Sequence, residues 1–308
     1  MRTLQNLLLA GIAPILFGGC SPFAVVNAVA PRDGVIERLD IAYGTDARHR
    51  LDVFLPSAPL ADPTPVIVFF YGGAWQRGDR SDYSYVGRAL ATRGVIAVVP
   101  DYRVYPEVVF PGFVEDGALA VKWAQQNLLG EARQVRPVFL MGHSAGAHLA
   151  GMLALDRSYL QRAGADANRI AGFIGLSGPY DFRPLQSRTL KRIFGDPAPD
   201  STQPVEFVTA DAPPALLITG SADTTVVPQN TGRLAARLRD NRVAVTEIVY
   251  DGVGHARTIA AFSPLLAGDL DILERITRFV APTAGHSGHV HPGRGRLRTD
   301  GVRFKDAG

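Results

Sequence analysis

Short apolar runs, each bounded by turn-forming residues, punctuate this chain. The clearest is Val66-Ile67-Val68-Phe69-Phe70, which has no polar interruption. Strict alternation of apolar and polar residues would mark a strand with one wet face. An unbroken run of this length marks a strand covered on both faces, as in a parallel sheet. Similar runs occupy residues 95–99, 138–141, 170–176, 215–219 and 245–250, and residues 36–43 and 50–55 read as an opening hairpin-like pair of strands.

Between these runs the apolar spacing becomes helical. Residues 113–128 place Val114, Ala118, Val121, Ala124 and Leu128 on one face, and helices are also predicted over 83–93, 145–155, 231–240 and 265–280. Strands alternating with helices imply right-handed crossovers, so the pattern predicts an α/β fold with a mostly parallel central sheet and helices on both faces. Residues 181–211 are too long for a plain loop and are expected to form a small cap insertion with short helices. No internal repeat is present.

Composition changes this picture only at the ends. The 308 residues are 46% hydrophobic and 20% charged, an ordinary balance for one large globular domain. The formal charge of +3 comes from the tail, where Arg294, Arg296, Arg298, Arg303 and Lys305 face only Asp300 and Asp306. The balanced body gives no basis for a nucleic-acid partner. The tail, residues 283–308, is expected to be disordered. Its His286, His289 and His291 read as part of a solvated low-complexity segment rather than a metal site.

Cys20 is the one cysteine, so no disulfide within the chain can form. It follows a short basic start and an apolar run over residues 7–17, too short for a spanning helix. Leu16-Phe17-Gly18-Gly19-Cys20 resembles a bacterial lipobox, with Phe17 where leucine is usual. The segment then divides into a lipoprotein-type signal peptide (1–19), a linker (20–34), the folded domain (35–282) and the tail. That reading puts a lipid anchor on Cys20 at the periplasmic side of the cell envelope. The alternative is cleavage after Ala28-Val29-Ala30 to give a soluble periplasmic or secreted protein, which Pro31 after the cut disfavours.

The chemistry concentrates in loops that follow the apolar runs. Gly142-His143-Ser144-Ala145-Gly146 fits G-x-S-x-G, with a predicted strand before it and a helix after it. A sharp strand-to-helix turn exposes the serine and sets it at a helix N-terminus, where developing negative charge is favoured. A serine hydroxyl needs a base to become nucleophilic. His255, in Gly252-Val253-Gly254-His255, and Asp223, in Gly220-Ser221-Ala222-Asp223, each lie just past a run. That is the strand end at which open α/β sheets build their sites. His49, His143 and His148 are poorer candidates for the base, and Asp181 is the rival for the acid.

Gly72 and Gly73, between Tyr71 and Ala74-Trp75, follow the 66–70 run. Glycines there let backbone N–H groups approach a substrate oxygen, as an oxyanion hole requires, with Gly73 or Ala74 and Ala145 as donors. Tyr71, Trp75, Tyr102 and Tyr180 are candidates for lining a substrate pocket, with packing of the scaffold as the competing role. Asp116 is read as a favourable charge near a helix N-terminus.

Taken together, Tyr71-Gly72-Gly73-Ala74-Trp75, Asp101-Tyr102-Arg103, Gly142-His143-Ser144-Ala145-Gly146-Ala147-His148, the Asp223 segment and Gly252–His255 resemble the carboxylesterase branch of the α/β-hydrolase superfamily. The resemblance is to feruloyl-esterase-like, kynurenine-formamidase-like and isoprenylcysteine-methylesterase-like proteins with an HGGxW-type oxyanion loop, and it covers residues 35–280. It implies a Ser144-His255-Asp223 triad that hydrolyses a small ester through an acyl-enzyme, with no metal or organic cofactor. It implies a structural role for Asp101-Tyr102-Arg103 beneath the oxyanion loop. Tyr71 departs from the histidine that opens that loop in relatives and usually braces it. An amide or formamide hydrolase with the same triad, and a non-catalytic surface lipoprotein on a hydrolase scaffold, remain the alternatives.

Overall fold

All eight apolar runs become strands, within one or two residues of their expected ends. The computed structural model describes residues 22–60, 63–128, 136–196 and 198–281. The leader with Cys20, and the tail with its histidines, lie outside these residues. The strands are β1 (Val35–Ala42), β2 (Arg50–Pro56), β3 (Val66–Phe70), β4 (Ile96–Pro100), β5 (Val138–His143), β6 (Ile170–Leu176), β7 (Ala215–Gly220) and β8 (Val245–Tyr250). They form one sheet in the order β1-β2-β4-β3-β5-β6-β7-β8. Only the β1–β2 and β2–β4 pairings are antiparallel. The molecule therefore has the α/β-hydrolase fold.

The helices are α1 (Pro22–Val29), α2 (Ser84–Ala91), α3 (Gly112–Leu128), α4 (Ala145–Leu155), α5 (Ser158–Ala163), α6 (Arg188–Phe194), α7 (Gln229–Asp240), α8 (Arg257–Ala260) and α9 (Ile272–Val280). Each residue of β3 and β4 is buried, and α4 is buried along its whole length. Removing such side chains from water contributes roughly 1.5–3 kcal/mol for each large aliphatic or aromatic residue. The expected cap between β6 and β7 consists of α6 and two short 3-10 turns, Asp200–Thr202 and Pro204–Phe207.

Two expectations need correction. Part of the linker is helical: α1 docks on the 3-10 turn Arg80–Tyr83, where Asn27 Nδ2 donates to the Ser81 and Asp82 carbonyls at 2.9 and 3.2 Å. The final helix begins at Ile272 rather than near residue 265, because Gly268 takes a left-handed φ of 58° that a right-handed helix excludes.

Register sets what meets at the carboxyl edge. Phe70 pairs with Gly142, so the loops after β3 and β5 are neighbours. Gly220 pairs with Tyr250, which brings together the loops after β7 and β8. β6 alone separates the two pairs. The Ser144 N–H donates to the Leu176 carbonyl at 2.9 Å, and the Ser177 N–H donates to Ile218 at 2.8 Å, so the rim is stitched across that strand.

Candidate active site

Ser144 sits between β5 and α4 with φ 55° and ψ −123°, a conformation that non-glycine residues rarely adopt. Its neighbours permit the turn. A Cβ on Gly142 would lie 2.1 Å from the Gly146 carbonyl oxygen, and one on Gly146 would lie 2.0 Å from that of Phe70. Both contacts are impossible, so these glycines are sterically required. Strain of this kind costs about 1–3 kcal/mol and is held in place by the surrounding structure.

The turn aims Ser144 Oγ at His255 Nε2, 2.8 Å away. His255 Nδ1 lies 2.8 Å from Asp223 Oδ2, and the other carboxylate oxygen accepts from the Thr225 and Val226 N–H groups at 3.0 and 2.9 Å. Because the carboxylate is the acceptor, Nδ1 carries the proton and Nε2 is left to accept from the serine. Burial by itself raises the Asp223 pKa, but the His255 hydrogen bond and the Val226 N–H outweigh it and hold the carboxyl below its ordinary value. The three side chains singled out in the sequence therefore form one continuous hydrogen-bonded line. Asp181 stands elsewhere, paired with Arg183 and Arg233 at 3.2 Å each.

Residues not foreseen from the sequence fix the backbone of His255. Its carbonyl accepts from Thr258 Oγ1 at 2.9 Å and from His143 Nε2 at 3.2 Å. A carbonyl cannot donate, so His143 holds its proton on Nε2. Burial, then the neighbouring His255, lowers the His143 pKa to about 3, which keeps that ring neutral. Ser177 Oγ lies 3.1 Å from Thr258 Oγ1, and its hydroxyl also favours the ionised Asp223. Ser177 is fully buried and takes a φ of 48°, a second strained residue at this rim. The position of His143 beside Ser144 was its one signal in sequence; Ser177 and Thr258 gave none.

The Gly72-Gly73 loop packs directly on the nucleophile. A Cβ at Gly72 would approach both Ser144 Cβ and His143 Nδ1 to 3.1 Å. Gly73 has φ 137°, and a Cβ there would lie 1.9 Å from the Arg77 carbonyl oxygen. Ala74 and Trp75 follow with φ 55° and 58°. Among the described residues, the N–H groups of Gly73, Ala74 and Ala145 have no protein acceptor. That leaves three donors at this edge free for an oxygen from outside.

Tyr71 braces this loop from below. Its hydroxyl donates to Asp101 Oδ1 at 2.7 Å and accepts from Arg48 Nη2 at 3.0 Å. Asp101 Oδ2 takes Arg80 Nη1 at 2.5 Å, and Arg80 Nε reaches Asp52 at 2.9 Å. Tyr102 stacks on Tyr71 and donates its hydroxyl to the Tyr71 carbonyl at 2.7 Å. Burial, then Tyr102 and Asp101, pushes the Tyr71 phenol well above its ordinary pKa, so it stays a donor. Asp101 and Tyr102 thus support the loop, as the resemblance implies. Arg103 instead pairs with Asp116 at 2.6 Å. Asp116 also lies 3.0 Å from His49 and is wholly buried, so it is an ion-pair partner rather than a simple helix-end charge.

The pocket expected around four aromatic residues needs correction. Tyr71, Tyr102 and Tyr180 have no exposed surface, so they pack the scaffold and offer a ligand nothing to touch. Trp75 is almost as buried. Its ring stacks on Phe182 at 5.8 Å and meets Phe194 and His148 edge-on at 4.8 and 5.3 Å, joining the loop to the cap. His148 Nε2 donates to the Thr202 carbonyl at 2.8 Å, which ties the cap to α4. Burial lowers the His148 pKa to about 4, so it too is neutral.

The family model described as BD-FAE matches residues 51–238, more than half of the chain. Esterase LipC of Mycobacterium tuberculosis is 30% identical over 246 residues, 71% of this chain and 60% of that protein. A probable isoprenylcysteine alpha-carbonyl methylesterase of Arabidopsis thaliana is 28% identical over 79% of this chain and 62% of its own length. The chain therefore spans about three fifths of the length of these two relatives. Among solved structures, a truncated carbohydrate esterase from gut microbiota superposes with a TM-score of 0.70 at 20% identity, over 81% of this chain and 97% of that one. That likeness concerns the fold.

Proposed function

The chain belongs to the BD-FAE family, and from that premise we propose that it is a serine carboxylic ester hydrolase acting on a small ester. The observation that carries this reading is the unbroken line from Ser144 Oγ through the His255 ring to Asp223, each contact 2.8 Å. In the reaction, Ser144 Oγ attacks the ester carbonyl carbon as its proton passes to His255 Nε2. Asp223 holds the ring orientation and stabilises the imidazolium. The N–H groups of Gly73 or Ala74 and of Ala145 receive the oxyanion. The C–O bond to the alcohol breaks, His255 returns the proton to the leaving oxygen, and an acyl-Ser144 ester remains. Water, deprotonated by the same imidazole, then releases the acid and restores the serine.

The test is Ser144→Ala assayed with p-nitrophenyl acetate. The variant is expected to fold normally and to lose roughly 10³–10⁶-fold in kcat, and a fluorophosphonate probe is expected to label the parent at Ser144 but not the variant. Undiminished turnover in the variant would remove the assignment. Turnover of anilides or N-formyl substrates faster than of esters would replace it with an amidase.

For the N-terminal segment, we propose export and lipidation at Cys20 on the strength of the Leu16–Cys20 motif. Mass spectrometry of the mature protein is expected to find an acylated N-terminal cysteine. An unmodified N-terminus at Met1 or Pro31 would overturn this.

A further inference from the structure

Against the Gly72-Gly73 loop lies a cavity of about 340 Å³, lined by Phe23, Gly72, Gly73, Arg77, Asp82 and Tyr83 among others. Pockets from ~300 Å³ upward are of the size that binds small molecules. One of its walls is Gly72, which abuts the nucleophile, since a Cβ there would lie 3.1 Å from Ser144 Cβ. Another wall comes from α1, which precedes the residues that match the family.

The position of α1 is specified. Asn27 bonds three backbone groups at once: its Nδ2 donates to the Ser81 and Asp82 carbonyls, and its Oδ1 accepts from the Tyr85 N–H at 2.8 Å. Arg88 Nη1 then donates to the Asn27 carbonyl at 2.9 Å. This latch sets the Phe23 ring 5.3 Å from Tyr83, which stacks on Tyr71 at 5.3 Å with the rings only 9° from parallel. A row of rings thus runs from α1 to the residue that opens the Gly72-Gly73 loop.

We propose that this cavity is a subsite for one side of the ester, and that Phe23, delivered by the Asn27 latch, is a specificity-determining residue. The inference rests on the esterase reading above. The group it takes is ring-sized, with an apolar face against Phe23 and Tyr83 and an edge near the polar side chains of Arg77 and Asp82. An acetyl group is far too small to fill it. A ring on the acyl side and a ring on the alcohol side share this chemistry, and substrates can separate them.

The experiment compares the full chain with Phe23→Ala and Asn27→Ala on vinyl acetate, vinyl benzoate and benzyl acetate. Both variants are expected to lose about tenfold in kcat/KM, mainly through KM, on one of the two ring esters. Vinyl acetate turnover should stay within about twofold, since uniform binding of the ring is all that is removed. The ester affected names the side that occupies the cavity. An equal loss on all three esters would reduce α1 to a support for the loop, and no loss on any would remove the subsite. Saturation-transfer NMR with benzyl alcohol reads the same site without turnover: ring contact in the parent that is lost in Phe23→Ala is expected, and no contact in the parent, or contact unchanged in the variant, overturns the proposal. A parent that binds the ring yet hydrolyses none of the esters would sink the esterase reading and leave the subsite standing.

Discussion

The two ends of the Tyr71–Trp75 loop are held by opposite kinds of matter. At Tyr71 the support is ionic: a phenol, the Asp101 carboxylate, and the guanidiniums of Arg48 and Arg80. At Trp75 it is a nest of rings from α4 and the cap. Charged hydrogen bonds are directional and fix an orientation, whereas ring packing fixes a distance and tolerates small rotations. The contrast teaches that the free N–H groups of Gly73 and Ala74, which lie between them, are set from one side by angle and from the other by volume.

The largest effect should come from breaking the ionic end. Asp101→Ala leaves Arg80 and the Tyr71 hydroxyl without their shared acceptor, and loss of one partner from a buried pair costs about 3–5 kcal/mol. Urea unfolding is expected to show that loss, with esterase activity falling alongside; a change under ~1 kcal/mol would mean that Arg80 and Tyr71 find other partners.

Acid should attack the ring end next. His148 is neutral when folded, with its pKa lowered by burial from 6.5 to about 4. Below pH 6.5 the unfolded chain takes up a proton that the folded chain refuses, so stability falls with pH until about 4, by ~1.4 kcal/mol per pH unit. His143 adds a similar loss that continues to about 3. Denaturant midpoints between pH 7 and pH 4 check this, and His148→Phe should flatten part of the slope. An unchanged slope would contradict the neutral buried ring.

Phe182→Ala removes one face of the Trp75 nest but from a half-buried position, so about 1–2 kcal/mol is expected, with activity reduced through the loop. Tyr71→Phe should cost a comparable amount, since Asp101 keeps Arg80: about 1.5–3 kcal/mol for one hydrogen bond to a charged group. If the ionic end sets the angle of the loop, this substitution should lower kcat more than Phe182→Ala does for the same loss of stability.

Much of this was legible in the sequence, for reasons that differ by residue. Buried parallel strands announce themselves because both faces must be apolar, and G-x-S-x-G is readable because sterics allow only glycine at Gly142 and Gly146. Asp223 and His255 were readable from their places after strands. The first helix was not, since Pro22–Val29 is apolar nearly all round and is anchored by one asparagine to a turn more than fifty residues away. Tyr71, Tyr102 and Tyr180 could be located on loops, but no local pattern says that a loop aromatic points inward. Ser177 and Thr258 act only through contacts made after folding, so nothing in their neighbours marks them.

Trp75 follows Ala74 directly, and its ring belongs to the same cluster as the cap residues Phe182 and Phe194. Warming that frees the cap would therefore let the amide donors drift while the eight strands stay paired. Heat would then disorder this oxygen-binding edge some degrees before the sheet melts, and cooling would restore it.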